Sequence, residues 1–159
     1  MDAPFRIRRG VPSDAGSLIV LERRCFGDPW SEASFREALH STWSFGLVAE
    51  LGEQLAGFLI AREVAGTGEV LNLATVPELR RQGIGRALLE AGIRALSVRG
   101  ATEVFLEVRE TNTSALRLYG DFGFLQVGVR AGYYREPMED AFVLRLGLGS
   151  DAENRADEA

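Results

Sequence analysis

The segment from Asn72 to Leu89 restricts the fold more than any other part of the chain. Leu73-Ala74-Thr75-Val76 has strand character and halts at Pro77, which lacks the backbone donor a ladder needs. Arg80-Arg81-Gln82-Gly83-Ile84-Gly85-Arg86 follows. A helix is predicted over residues 83–98, with Ile84, Ala87, Leu88, Ala91, Ala95 and Val98 on its apolar stripe and Gly100 as its stop. Residues 103–109 read as the next strand: Val104, Leu106 and Val108 face one way, Phe105, Glu107 and Arg109 the other. Strand, helix and strand in this order predict a right-handed crossover between parallel neighbours.

The junction also predicts chemistry. Amides at a helix start have no intrahelical acceptor and attract anions. Gly83 and Gly85 carry no side chain to keep a phosphate away, and Arg80, Arg81 and Arg86 add charge. A diphosphate cradle fits, and so does a plain strand-to-helix connection. Leu88 stands where a dinucleotide fold would place a third small residue, and no Gly-Lys-Ser/Thr ending makes a P-loop.

Around this junction, residues 5–9 alternate as a strand, and Ser13-Asp14 sits where a helix N-cap is expected, before Leu18, Leu21, Glu22 and Cys25 at helical spacing. Pro29 breaks that helix, and Ser31 caps a second one to about His40. Residues 45–50 and 54–64 predict a hairpin, and Gly66-Thr67-Gly68 turns into a strand over 69–76. Asn112 or Thr113 caps a helix carrying Ala115, Leu118, Tyr119 and Phe122, closed by Gly123. Strands are expected at 124–129 and 141–146, with residues 130–140, including Tyr133, Tyr134 and Pro137, as the segment between them. One domain over residues 1–147 and an acidic, disordered tail over 148–159 complete the reading.

Several function classes fall away. A net charge of −5 argues against a general nucleic-acid binder. No segment nears the ~20 apolar residues of a membrane helix, and residues 1–9 hold no apolar signal core. A lone Cys25 forms no intrachain disulfide, so a cytoplasmic protein is expected. His40 is the sole histidine, and no cluster has metal-ligand spacing, so no metal is expected.

Arg80-Arg81-Gln82-Gly83-Ile84-Gly85 resembles the acetyl-CoA pyrophosphate loop of the GNAT acetyltransferase superfamily, over nearly all of residues 5–147. Asp28-Pro29-Trp30-Ser31, the run from Leu106 to Asn112, and Ala115-Leu116-Arg117-Leu118-Tyr119 leading to Gly123-Phe124 resemble its RimI-like branch, the ribosomal-protein alanine N-acetyltransferases. The resemblance implies an α/β (α+β) GNAT fold: a mixed, mostly antiparallel sheet with a splayed parallel pair and about four flanking helices. It also implies acetyl-CoA as cosubstrate, with the diphosphate on the backbone of Arg81, Gln82, Gly83, Ile84, Gly85 and Arg86. Leu73, Ala74 and Thr75 would hold the pantetheine arm, and Asn112 would make a further coenzyme contact. Thr75-Val76 departs from the Val-Asp that many relatives carry before the proline.

The residue types suit that chemistry. Glu107 is a carboxylate within an otherwise apolar strand; burial would raise its pKa and make it a base near neutrality, while an outward face would pair it with an arginine. Tyr119 lies on an apolar helix face, as a core tyrosine or a proton donor. The resemblance assigns Glu107 as general base, directly or through a water, and Tyr119 as the acid that protonates the leaving thiolate. An α-amino group, with pKa ~7.7–8.0 against ~10.4 for lysine, is the less demanding acceptor at pH 7. That favours a protein or peptide N-terminus as partner, and the resemblance implies a ribosomal protein's. Lysine or small-amine acetylation and a non-catalytic acyl-CoA sensor stay open. Trp30, Tyr133, Tyr134, Glu139 and Asp140 match segments bordering the peptide groove of RimI-like enzymes, with Glu139 or Asp140 as partner of a cationic amine.

Overall fold

The computed structural model describes residues 5–149. Its elements run β1 (Phe5–Arg9), α1 (Ala15–Cys25), α2 (Glu32–His40), β2 (Ser44–Leu51), β3 (Gln54–Val64), β4 (Thr67–Thr75), α3 (Ile84–Val98), β5 (Glu103–Arg109), α4 (Thr113–Asp121), β6 (Leu125–Arg135) and β7 (Met138–Gly147). The seven strands form one sheet in the order β1-β2-β3-β4-β5-β7-β6. Only β4 and β5 pair in parallel, joined by the α3 crossover; every other pair is antiparallel. No described helix is long and apolar enough to cross a membrane.

Strand alternation divides the core between the two faces. In β3, Phe58 and Ile60 pack with α1 and α2, while Leu59 and Ala61 pack with α3 and α4. Phe35 of α2 and Phe58 are fully buried, with ring centroids 5.3 Å apart at 87°, and Trp30 leans on Phe35 at 5.1 Å. Each such buried ring contributes roughly 1.5–3 kcal/mol. This anchor fixes the connection between α1 and α2, which borders the site.

Four local expectations change. The stripe of α3 is Ile84, Leu88, Leu89, Gly92 and Leu96, and Val98 is exposed. Gly92 belongs to it because a Cβ there would come 2.9 Å from Leu59, so a glycine lets α3 approach β3 closely. Asp14 makes no side-chain cap for α1. Its carboxylate accepts from the Val11 amide at 2.7 Å and from both terminal nitrogens of Arg8 at 2.9 Å. The turn into β4 uses Ala65 and Gly66, both at positive φ, and Thr67 already pairs with Val64. Residues 130–140 are the body of the β6–β7 hairpin. Register shifts at 126–128 and 130–134 break the alternation a strand would show in sequence.

Leu148 donates its amide to Thr102 and packs on the core, so the folded unit reaches one residue past 147. The expected tail lies, from residue 150, outside the described residues. Ser31 caps α2 by accepting from the Ser34 amide at 3.1 Å, as expected.

Candidate active site

The site begins where the parallel pair separates. β4 and β5 are paired only from Thr67↔Glu103 to Val70↔Leu106. Beyond that, β4 stays on β3 as far as Thr75↔Gly57, and β5 stays on β7 as far as Arg109↔Ala141. The β5-facing edge of residues 71–75 is left without a strand partner. A register shift starts the divergence: Ile60 pairs with Asn72 and Ala61 with Val70, leaving Leu71 as the extra residue. Gly57 permits the close β3–β4 contact there, since a Cβ would lie 2.7 Å from the Ala74 carbonyl. Unpaired strand edges such as this accept an amide-bearing ligand.

The arginine loop stands at the far end of β4. Arg81 (φ 67) and Gly83 (φ 82) take left-handed conformations that turn the chain into α3. Among the described residues, the amides of Gly83, Ile84, Gly85 and Arg86 donate to no carbonyl or capping side chain. Donors converging at a helix start form an anion cradle. The flanking arginines are less uniform than the sequence suggests. Arg86 is tied to Asp121 at 2.7 Å, and Arg80 reaches the Cys25 sulfur at 3.7 Å. Cys25 donates to the Thr75 carbonyl, 3.6 Å away.

A cavity of about 1010 Å³ lies at the divergence. Glu107 of β5 and Tyr119 of α4 both line it, although α4 packs on the sheet face opposite α1 and α2. Leu73, Asn112, Trp30, Tyr133 and Tyr134 are also on its wall. Glu107 is part-buried, and Arg130 of β6 bonds its Oε1 at 2.9 Å. Tyr133 lies beside the same carboxylate, which raises the tyrosine's pKa. The paired arrangement is the one realised for Glu107, within the cavity rather than on the outer surface. Tyr119 is 8% exposed and meets Phe124 edge-to-face, with ring centroids 5.8 Å apart. Burial pushes its phenol well above the usual range, so it stays protonated at physiological pH. Asn112 caps α4, accepting from the Ala115 amide at 3.2 Å.

The remaining candidates lie elsewhere. Ala74, Thr75 and residues 81–86 are not on the cavity wall. Glu139 and Asp140 are also outside its lining. Glu139 accepts from the Thr111 hydroxyl and amide and from Arg109. The Thr111 hydroxyl leads in holding its carboxyl below the usual range. Asp140 accepts from the Gly132 amide at 2.8 Å. These carboxylates hold the hairpin rather than facing the cavity. Arg109 completes that support, donating to the Pro137 carbonyl at 2.9 Å and lying 4.2 Å over the Tyr134 ring. Gly27, before Trp30, lets the α1–α2 loop meet the hairpin turn, because a Cβ there would sit 2.5 Å from the Glu136 carbonyl.

Sequence reasoning missed Glu22 and Asn72, which also line the cavity and are hydrogen-bonded to each other. The available signal was a carboxylate at helical spacing with Leu18, Leu21 and Cys25 on an otherwise apolar stripe. No group of residues among those described has the arrangement of a metal site.

The chain matches the model of the acetyltransferase (GNAT) family over residues 16–124. It is 35% identical over 138 residues to the [ribosomal protein bS18]-alanine N-acetyltransferase of Escherichia coli K12, covering 86% of this chain and 93% of that protein. It is 32% identical over 157 residues to an N-alpha-acetyltransferase of Sulfurisphaera tokodaii, covering 91% and 93%. The crystal structure of the Escherichia coli ribosomal-protein-S18-alanine N-acetyltransferase superposes with a TM-score of 0.86 at 31% identity, covering 95% of this chain and 98% of that one. The sheet divided at its parallel pair, the bare amides at the start of α3 and these similarities agree: the chain belongs to the GNAT acetyltransferase family.

Proposed function

We propose that the protein transfers the acetyl group of acetyl-CoA to the α-amino group at a protein N-terminus, with an alanine-starting ribosomal protein as the acceptor its relatives suggest. One observation carries this reading: Glu107 and Tyr119, from different elements, line one cavity at the opening between β4 and β5. Acetyl-CoA supplies an acyl carbon activated by a thiol leaving group. The free amides of residues 83–86 suit its diphosphate, and the unpaired edge at Leu73, Ala74 and Thr75 suits the amides of its pantetheine arm.

Within that frame each side chain has one task. Glu107 takes a proton from the attacking nitrogen, directly or through a water. Tyr119, which burial keeps protonated, delivers its proton to the departing sulfur as the C–S bond breaks. The Thr75 region of β4 supplies the amide that polarises the carbonyl. Arg130 holds Glu107 from the β6 side with Tyr133 beside it, and Trp30 borders the acceptor's path.

Acetyl-CoA turnover against N-terminal peptides, lysine peptides and polyamines tests the reading. Alanine-starting N-terminal peptides should be the best acceptors. Preference for lysine or polyamine would replace the acceptor assignment. Coenzyme binding with no turnover on any acceptor would replace the enzyme reading with a sensor.

A further inference from the structure

Glu22 of α1 is 2% exposed, a burial that carboxylates seldom show without a cation beside them. Its Oε2 accepts from the Asn72 side-chain amide. Its Oε1 has no hydrogen-bond partner among the described residues, yet no fully buried side-chain oxygen is left unpartnered, so Oε1 opens onto the cavity that Glu22 lines.

The other charges around the cavity are compensated in pairs. Arg62 bonds Glu69 at 3.0 Å, Arg130 bonds Glu107 at 2.9 Å, and Arg109 bonds Glu139 at 3.2 Å. Asp28, in the α1–α2 loop, is exposed to water. Cys25 on the same helix is neutral at physiological pH, its thiol pushed up by burial, and Tyr119 and Tyr134 are likewise held neutral by burial. Glu22 is thus a buried carboxylate on the cavity wall without a cation of its own.

We propose that Glu22 is a second carboxylate of the acceptor site, which receives the incoming ammonium and takes its first proton. The inference rests on the proposed function, because it needs an amine acceptor that arrives charged. The proton count calls for two acceptors. An ammonium must lose one proton to free the lone pair that attacks the acyl carbon. The nitrogen loses a second as the N–C bond becomes an amide and the C–S bond breaks, its electron pair going to sulfur. Glu22 takes the first proton, Glu107 the second, and Tyr119 protonates the sulfur. Tyr119 then regains a proton from the cavity, so one proton leaves overall: ammonium and thioester yield amide, thiol and one H⁺. Burial, partly offset by the bond from Asn72, raises the Glu22 carboxyl to about 7, close enough to an α-ammonium of pKa ~7.7–8.0 for ready exchange.

The test is the pH dependence of kcat/KM for Glu22→Gln, which keeps an oxygen for Asn72 and removes the proton acceptor. At pH 7 roughly one α-amine in ten is neutral. With Glu22 half ionised at pH 7, the variant should therefore be down by about three- to fivefold there and within about twofold of wild type at pH 9.5. Its acid limb should move from near 7 to near the amine's own pKa, and Glu22→Asp should restore the wild-type limb. Equal activity at both pH values, or the same loss at both, would overturn the proposal; a purely structural role gives the second pattern. If Glu22→Gln does not fold, the wild-type profile decides alone, since an acid limb at the acceptor's own pKa removes the need for Glu22. Loss of the proposed function would look different: no turnover on N-terminal peptides at any pH, even in the wild type.

Discussion

Glu22→Gln is expected to stabilise the folded protein above neutral pH. The Glu22 carboxyl rises from its ordinary 4.5 to about 7, chiefly through burial. A carboxyl raised in this way favours the fold only while protonated. Its contribution is complete below the unfolded value near 4.5 and is lost as pH climbs to the folded value near 7; above that a constant penalty remains. The gap between the two values corresponds to about 3.4 kcal/mol, at ~1.36 kcal/mol per decade. Water reaching Oε1 through the cavity reduces it, and glutamine accepts a weaker, neutral bond from Asn72. A net gain of about 1–2 kcal/mol at pH 8.5 follows, which is roughly 2–8 °C in unfolding midpoint for a domain of this size. Thermal unfolding followed by circular dichroism at pH 4.5, 7 and 8.5 measures it. The gain should be largest at pH 8.5 and disappear near 4.5. A variant less stable at pH 8.5, or one with the same difference at every pH, would refute the idea that an uncompensated buried charge sits there.

Tyr119→Phe keeps the ring contact with Phe124 and removes the donor, so kcat should fall by ~10²–10⁴ with little change in the acetyl-CoA KM. Thiol release in the steady state reads this, and a kcat within threefold of wild type would remove Tyr119 from the reaction. Gly57→Ala puts a Cβ 2.7 Å from the Ala74 carbonyl and should cost about 1–3 kcal/mol in denaturant unfolding while weakening coenzyme binding by calorimetry. Unchanged binding would mean that the β4 edge beside Gly57 does not hold the coenzyme. Asp14→Asn removes a carboxylate whose pKa is lowered chiefly by its hydrogen bond with Arg8. That stabilisation is complete above about pH 4 and lost as pH falls through the depressed folded value, so the variant's deficit of ~1 kcal/mol at pH 7 should close in acid.

Much of this protein could be read from the order of its residues, because the signals involved are local. Pro77 ends a strand wherever the strand lies, and Gly83 and Gly85 expose a helix start without help from neighbours. The 3.6 and 2.0 periodicities assigned most elements, and the crossover rule made β4 and β5 parallel. Glu107 and Tyr119 were singled out by residue type and family resemblance. Local signals were weakest where bulges disturbed them: residues 130–140 conceal a hairpin because the register slips twice.

Tertiary structure decided the rest, because these features depend on what packs against a residue rather than on its neighbours in sequence. The opening between β4 and β5 is a matter of register, set by one extra residue at Leu71 and a glycine at position 57. The pairing of Glu107 with Arg130 and the capture of Glu139 by Thr111 are long-range contacts, and Asp140 is turned from the cavity by the Gly132 amide across the hairpin. Glu22 shows the difference most clearly. In sequence it is one polar residue on a helical stripe; in the fold it is a buried carboxylate beside the cavity, held by Asn72 from fifty residues away and lacking a cation. Charge belongs to a residue, but its cost and its use come from the dielectric and the partners that packing provides.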